Sequence, residues 1–178
     1  MTHDFPRGNW LSGYALHDYL ASLLGKPHAN TPQYNPKQAG YWPNGEWQLY
    51  KYYHQNMTGM RVGTLPSPDL FLDTYATVGD DGIVRVMAGV RVVSGTRYLQ
   101  VNDLASLGLP KAATLKVYQF SFDSNVTDQH YGYVAGPTDL GYAQYSYSGN
   151  SVVFPIVNTA RNTTVYVFEF AVDNRTTF

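Results

Sequence analysis

Cysteine is absent from this chain of 178 residues, which excludes disulfide bonds, thiol chemistry and cysteine-based metal sites. Charged residues are few, at 14%, and the formal net charge is −1, so no basic surface for nucleic acid is predicted. No run of 18 apolar residues occurs, and we expect no membrane span. Only two glutamates are present, which restricts acid–base chemistry from the outset.

Several motifs that carry chemistry are also missing. The five histidines lack the spacing of a zinc site, and no G-x-S-x-G nucleophile motif or glycine-rich phosphate loop occurs. Asp80-Asp81 could join a calcium site, but a tight turn explains the pair equally well. We predict no cofactor, no bound metal and no catalytic residue.

The chain before position 61 has helical features. Leu11–Leu24 places apolar residues on one face and is predicted to be a helix. A second helix is predicted over 44–58, beginning at the N-cap Asn44 and ending at Gly59. Four of its residues recur at spacings of three and four and are predicted to share a face: Trp47, Tyr50, His54 and Met57.

From Arg61 onward the period becomes that of β-strands. Ile83–Val93 alternates most clearly, with valines on one side and Arg85 and Arg91 on the other. Gly79–Gly82 predicts a hairpin turn before it. A phase slip between Val117 and Tyr118 indicates a bulge or a strand covered on both faces. The predicted strands are Phe71–Val78, Ile83–Val93, Tyr98–Asn102, Leu115–Phe122, Tyr142–Tyr147, Val152–Val157 and Thr164–Val172.

These patterns predict a mainly β fold, namely an antiparallel, jelly-roll-like β-sandwich of about eight strands with two N-terminal α-helices. The predicted organisation is a helical segment over residues 1–60 and a sandwich domain over residues 61–178. We expect the helices to pack on one side or edge of the sandwich. Their apolar faces exceed what one edge covers, so a homo-oligomer, most simply a dimer, is predicted.

The stretch Gly45–Gly59, GEWQLYKYYHQNMTG, resembles the helix that closes the (β/α)8 barrel in glycoside hydrolases of family 39 and related clans. In those enzymes the helix leads into a C-terminal β-sandwich, and residues 72–110 here are similar to its first strands. The resemblance implies that the chain corresponds to the C-terminal region of such a secreted glycosidase. A complete barrel needs about 200 residues or more, which this chain cannot supply.

The resemblance does not carry the catalytic residues with it. Family 39 uses two glutamates on barrel strands, and neither has a matching position here. Glu46 is expected to complement the dipole at the start of a helix. Glu169 is expected on the solvent face of a strand, opposite a basic neighbour. We therefore expect no glycosidase activity from this chain.

Tyrosine is abundant, with 16 residues, and many lie in polar company between Asp128 and Tyr147. Aromatic rings stack on the C–H faces of sugars, and carboxylates accept hydrogen bonds from their hydroxyl groups. Tyrosines are also good strand formers, which leaves a purely structural interpretation open. The candidate glycan-binding residues are Asp128, His130, Tyr131, Tyr133, Asp139, Tyr142 and Tyr145.

Four N-x-S/T sequons favour a secreted protein, with candidate glycosylation at Asn56, Asn125, Asn162 and Asn174. The first ten residues lack the apolar core of a signal peptide, which suggests a mature or excised piece. We therefore predict a secreted, lectin-like protein whose partner is a glycan or polysaccharide. The alternatives are a catalytically inactive C-terminal fragment of a glycoside hydrolase, or a secreted immunomodulatory protein with a protein partner.

Overall fold

The computed structural model describes residues 24–25, 32, 42–43, 45–90, 93–121, 135–158 and 164–172. The chain divides into two units, one made of Met1–Lys51 with Ser121–Gly136 and one made of Tyr52–Phe120 with Pro137–Phe178. The first unit contains a short antiparallel pair, β1 (Leu24–Gly25) with β2 (Trp42–Pro43). The predicted division at residues 60 and 61 stays a prediction.

One helix is present in the described residues, α1 (Gly45–Asn56). It matches the second predicted helix to within two residues at its end. Gly59 then adopts a φ of 83°, and a Cβ there would lie 2.2 Å from the carbonyl oxygen of Val78. Only glycine fits this close approach, so the predicted helix stop has both a conformational and a steric reason.

The structure differs from the first predicted helix, Leu11–Leu24, at the last residue of that range. Leu24 belongs to β1 instead, and the remainder of that segment lies outside the described residues. The predicted shared face holds only in part, because Met57 is buried but Tyr50 and His54 are exposed, and the buried tyrosine of α1 is Tyr52. The helix carries aromatic residues on several sides, so the spacing of apolar residues alone did not identify the side that is buried.

Eight described strands of the second unit form an antiparallel β-sandwich, which confirms the predicted fold class. They are β3 (Met60–Val62), β4 (Leu72–Val78), β5 (Ile83–Val90), β6 (Gly95–Asn102), β7 (Ala112–Ser121), β8 (Thr138–Ser146), β9 (Ser151–Asn158) and β10 (Thr164–Ala171). Six of them form one sheet in the order β3-β4-β5-β10-β7-β8, and β6 pairs with β9 in a second. The predicted turn at 79–82 connects β4 to β5, and residues 147–150 connect β8 to β9.

The core lies between the two sheets. Alternate residues of β5 and β10, such as Val84, Val86 and Phe170, pack there with Leu99 of β6 and Ile156 of β9. We call this side of the six-stranded sheet the inner face and the opposite side the outer face. Burial of many aliphatic and aromatic side chains, at about 1.5–3 kcal/mol each, supplies the main driving force for the fold.

The outer face is also covered over its middle strands. Arg85 and Met87 of β5 and Val167 of β10 are buried there although they alternate with the core residues. Tyr52, from the last turns of α1, packs edge-on against Phe120 of β7, with ring centroids 5.4 Å apart. The last turn of α1, from Tyr52 onward, therefore lies on one side of the sandwich, and the predicted packing of the whole helical segment stays a prediction.

Candidate functional site

A bulge in the edge strand β8 organises the exposed end of the outer face. Lys116 of β7 pairs with Tyr142, and Tyr118 pairs with Asp139, so two steps along β7 match three along β8. The extra residue is accommodated where Gly141 adopts a φ of 83°. The bulge that the phase slip predicted is present, but its extra residue lies in β8; within β7 the slip reflects burial on both faces, of Val117 on the inner and Phe120 on the outer face.

Because of this bulge, Asp139 and Tyr142 both lie on the outer face although they are three residues apart. The Asp139 carboxylate lies 2.6 Å from the Lys116 ammonium and accepts a 2.7 Å hydrogen bond from the Gly141 backbone N–H. The Lys116 ammonium lies 4.5 Å from the centre of the Tyr142 ring and 5.7 Å from that of Tyr118. We call these four residues, Lys116, Tyr118, Asp139 and Tyr142, the Tyr142 patch.

Exposure and charge make the Tyr142 patch accessible to a ligand. Tyr142 is 72% exposed, and the carboxylate of Asp139 is half exposed. The ammonium of Lys116 lowers the pKa of Asp139, helped by the Gly141 N–H, and Asp139 in turn raises the pKa of Lys116. Both groups are therefore charged at neutral pH and fix each other beside the rings.

A buried polar cluster lies beside the patch on the same face. Arg85 is directly opposite Glu169 across β5 and β10, and its Nε donates a 3.1 Å hydrogen bond to Glu169 Oε1. Its Nη2 donates at 2.6 Å to Asp81 Oδ2. The Tyr52 hydroxyl donates to the same Oε1 of Glu169. We call Tyr52, Asp81, Arg85 and Glu169 the Arg85 network.

The pKa shifts in the Arg85 network follow from burial and pairing. Burial disfavours the charged guanidinium, but the hydrogen bonds to Asp81 and Glu169 outweigh it, and the pKa of Arg85 lies above its usual range. The same pairing lowers the pKa of Asp81. Burial, and then the hydrogen bond to Glu169, raise the pKa of Tyr52, so its phenol stays protonated as the donor.

Glu169 corrects one expectation from the sequence. Its basic cross-strand neighbour is present as predicted, but the Glu169 side chain is only 14% exposed and that of Arg85 only 6%. The Tyr52 side chain from α1 lies against them, which strand alternation alone did not reveal. Glu46 lies in the first turn of α1, as expected, although its side chain is outside the described residues.

Of the seven predicted glycan-binding residues, the structure brings two together, buries one in the core and leaves four outside the described residues. Asp139 and Tyr142 come together on the outer face, with Lys116 and Tyr118, which the sequence reasoning missed. Tyr145 is only 5% exposed, and its ring packs on the inner face at 5.3 Å from Phe170. Its placement in the core does not fit a glycan contact. The other four lie outside the described residues: Asp128, His130, Tyr131 and Tyr133.

Of the four sequons, only the asparagine of the first lies in the described part of the chain. Asn56 is the last residue of α1 and is half-buried, and its side-chain amide donates a 3.3 Å hydrogen bond to the Tyr52 carbonyl. The remaining three candidate positions lie outside the described residues: Asn125, Asn162 and Asn174.

A cleft of about 770 Å³ opens on the opposite side of the six-stranded sheet. Aliphatic residues from β4, β5 and β6 line it, including Leu72, Val86 and Leu99, and Tyr98 is its single aromatic residue. Asp103 supplies a carboxylate, but the lining lacks the paired rings of the Tyr142 patch, and it suits a sugar less well.

Two negative findings apply to the described residues alone. They contain no cluster of three or more histidine, aspartate or glutamate side chains arranged to hold a metal ion. No helix among them is long and apolar enough to cross a membrane.

Comparison with known proteins supports the fold but names no family for the chain. No family model and no curated protein matches the sequence. Among solved structures, the protein N2152 from Neocallimastix frontalis matches with a TM-score of 0.59 and 21% identity, over 74% of this chain and 31% of that one. The likeness at this identity establishes a shared fold alone.

More distant matches include glycoside hydrolases. A family 44 xyloglucanase from Paenibacillus polymyxa, solved with xyloglucan, has a TM-score of 0.45 and 15% identity over 71% of this chain and 22% of its own. A glucosidase from Croceicoccus marinus has a TM-score of 0.45 and 12% identity over 72% of this chain and 31% of its own. The chain thus spans less than a third of each of these three proteins, and the resemblance to family 39 stays a prediction.

Proposed function

We propose that this chain is a secreted carbohydrate-binding β-sandwich protein related to the accessory domain of a glycoside hydrolase. The observation that carries the proposal is the Tyr142 patch. It combines an exposed aromatic ring, a second ring and a fixed carboxylate on one open sheet face. A sugar needs this combination, because its C–H face stacks on rings while its hydroxyl groups donate to carboxylates.

The ion pair within the patch has a specific part in this function. Lys116 lies near both rings and bonds Asp139, so it holds the stacking surface and the acceptor in a fixed relation. A preformed surface loses less conformational freedom when a ligand binds than a flexible one. The patch is therefore suited to a flat, neutral ligand that lies on an open surface rather than to one that is enclosed in a deep pocket.

The sequence just before β8 supplies further candidate contacts. Asp128, His130, Tyr131 and Tyr133 precede Thr138, the first residue of β8, by at most ten positions. We keep them as candidate glycan-binding residues because of their residue types.

A single shallow site of this kind binds weakly. We expect a Kd between the millimolar and micromolar ranges, or about −4 to −8 kcal/mol. Useful affinity for a polysaccharide surface then requires several sites acting together, which fits the proposed homodimer.

The test is a glycan array followed by titration of the glycans that bind. The substitution Tyr142→Ala should weaken binding by about tenfold or more, because it removes one stacking ring worth on the order of 1.5 kcal/mol. The matched control is Tyr98→Ala, which removes a similarly exposed tyrosine from β6 and should leave binding unchanged. Equal affinity of both variants would contradict the proposal.

A second candidate function is that of an inactive C-terminal portion of a larger glycoside hydrolase. The observation that favours it is the coverage, since the chain spans less than a third of each similar structure described above. This candidate predicts no binding to any glycan on the array. Neither candidate includes turnover of aryl-glycosides by the chain alone.

A further inference from the structure

The Tyr142 patch adjoins the Arg85 network, and two polar atoms at their junction have no hydrogen-bond partner among the described residues. Tyr118 belongs to the patch, and its ring centroid lies 6.2 Å from that of Tyr52 in the network. The Tyr118 hydroxyl makes no hydrogen bond to the described residues. Glu169 receives both of its hydrogen bonds at Oε1, which leaves Oε2 without a partner among those residues.

Of the two groups, the Glu169 carboxylate is held in place by its hydrogen bonds at Oε1. Arg85 and Tyr52 both bond Glu169 Oε1, and the carboxylate cannot rotate without breaking one of these bonds. The carboxylate retains partial access to solvent, and Tyr118 is half-buried rather than enclosed. Partial burial, then the charge of Glu169 and more weakly that of Asp139, raise the pKa of Tyr118, which keeps its phenol protonated.

We propose that Tyr118 and Glu169 form a second half of the glycan site, so that one ligand spans Asp139, Tyr118 and Glu169. This inference rests on the proposed carbohydrate-binding function and deepens it. Glu169 Oε2 accepts a hydrogen bond from a sugar hydroxyl. The Tyr118 hydroxyl makes a second hydrogen bond, with the same sugar unit or the next one. A buried, oriented acceptor of this kind contributes more than an exposed one, because it is already desolvated and fixed.

The charge along this row indicates the class of glycan. Two cations, Arg85 and Lys116, face three anions, Asp81, Asp139 and Glu169, which leaves one net negative charge. A uronic acid unit would be repelled by this negative charge, whereas the hydroxyl groups of a neutral sugar donate hydrogen bonds to the carboxylates. The ligand class is therefore an uncharged oligosaccharide.

The experiment uses cellohexaose, xylohexaose and mannohexaose as neutral probes and oligogalacturonate as the acidic probe. Amide chemical-shift titration of the full chain gives a Kd for each. Tyr118→Phe should weaken binding of the neutral probe by about fivefold, as expected for one hydrogen bond. The matched control is Tyr75→Phe, which makes the same change on the outer face of β4 and should leave affinity unchanged.

Glu169→Gln should weaken binding of the neutral probe by about tenfold, because a charged acceptor is replaced by a neutral amide. Should this variant fail to fold, Tyr118→Phe alone decides the question. Wild-type affinity in Tyr118→Phe, with binding still lost in Tyr142→Ala, would overturn this inference and leave the proposed function standing. Tighter binding of oligogalacturonate than of the neutral probes would overturn it as well. No binding by any hexasaccharide would overturn both proposals.

Discussion

The Arg85 network and the Tyr142 patch use the same residue types on the same sheet face but differ in exposure. Each pairs a cation with a carboxylate next to a tyrosine ring. In the network Tyr52 of α1 lies beside the cation, and the Arg85 side chain is only 6% exposed. In the patch no described residue covers Tyr142, and the carboxylate of Asp139 faces solvent.

This difference separates a structural role from a binding role. A buried charge must be paired, because an unpaired one carries a large desolvation penalty. An exposed pair adds little to stability, since water solvates each partner nearly as well. The network therefore mainly holds strands and helix together and offers a ligand only Glu169 Oε2, whereas the whole patch remains free to exchange its water for a ligand.

The largest expected effect follows from removing the buried cation. Arg85→Met should destabilise the fold by about 3 kcal/mol, because Glu169 is left buried without its main partner. We place the effect at the lower end of the known range since Asp81 is half exposed and regains water. Chemical denaturation followed by circular dichroism measures it.

The matched control for this comparison is Lys116→Met, which makes the same change at the exposed pair. Its denaturation midpoint should equal that of the wild-type chain within experimental error. Equal destabilisation by the two substitutions would remove the distinction between network and patch.

A smaller effect is expected at the bulge that shapes the patch. Gly141→Ala should cost about 1–2 kcal/mol, because alanine is strained at the φ of 83° that Gly141 adopts. Nothing lies within 4 Å of the added Cβ, so the cost comes from the backbone alone. The variant should also weaken glycan binding, since Asp139 and Tyr142 share a face only through the bulge. Wild-type glycan affinity in a Gly141→Ala variant that is destabilised would contradict the dependence of the binding site on the bulge.

The smallest effect concerns pH. The pKa of Asp139 lies below its ordinary value of 3.8, so its charge is present above that value and is lost as the pH falls through the lowered pKa. Glycan affinity should stay constant from about pH 7 to pH 4 and fall only below that. A titration of affinity against pH, with circular dichroism confirming the fold at each point, checks it. A decline centred near neutral pH would assign binding to a different group.

The sequence was most informative where local rules determine the structure. Alternation in β5 and the turn residues at 79–82 located the β4–β5 hairpin, because side-chain period and turn chemistry are local properties. Gly59 likewise ended α1 where predicted. The inner face of the sheet followed from the valines of β5.

The sequence was least informative where distant segments meet. The exposure of Arg85 and Glu169 depends on which side of α1 packs down, and its many aromatic residues left that choice open. The exclusion of Tyr145 from the candidate site depends on the bulge at Gly141, which sets the face of every later residue in β8. Tyr118 was missed because its significance comes only from Asp139 and Glu169 on neighbouring strands.

The most direct test of the account is a map of amide chemical shifts on adding the neutral oligosaccharide that binds best. We predict that the shifts concentrate on residues 116–118 of β7 and 139–142 of β8, and that they disappear in Tyr142→Ala. Shifts confined to the 79–82 hairpin or to the cleft beside Tyr98, or shifts that persist in Tyr142→Ala, would contradict the assignment of the outer face as the glycan site.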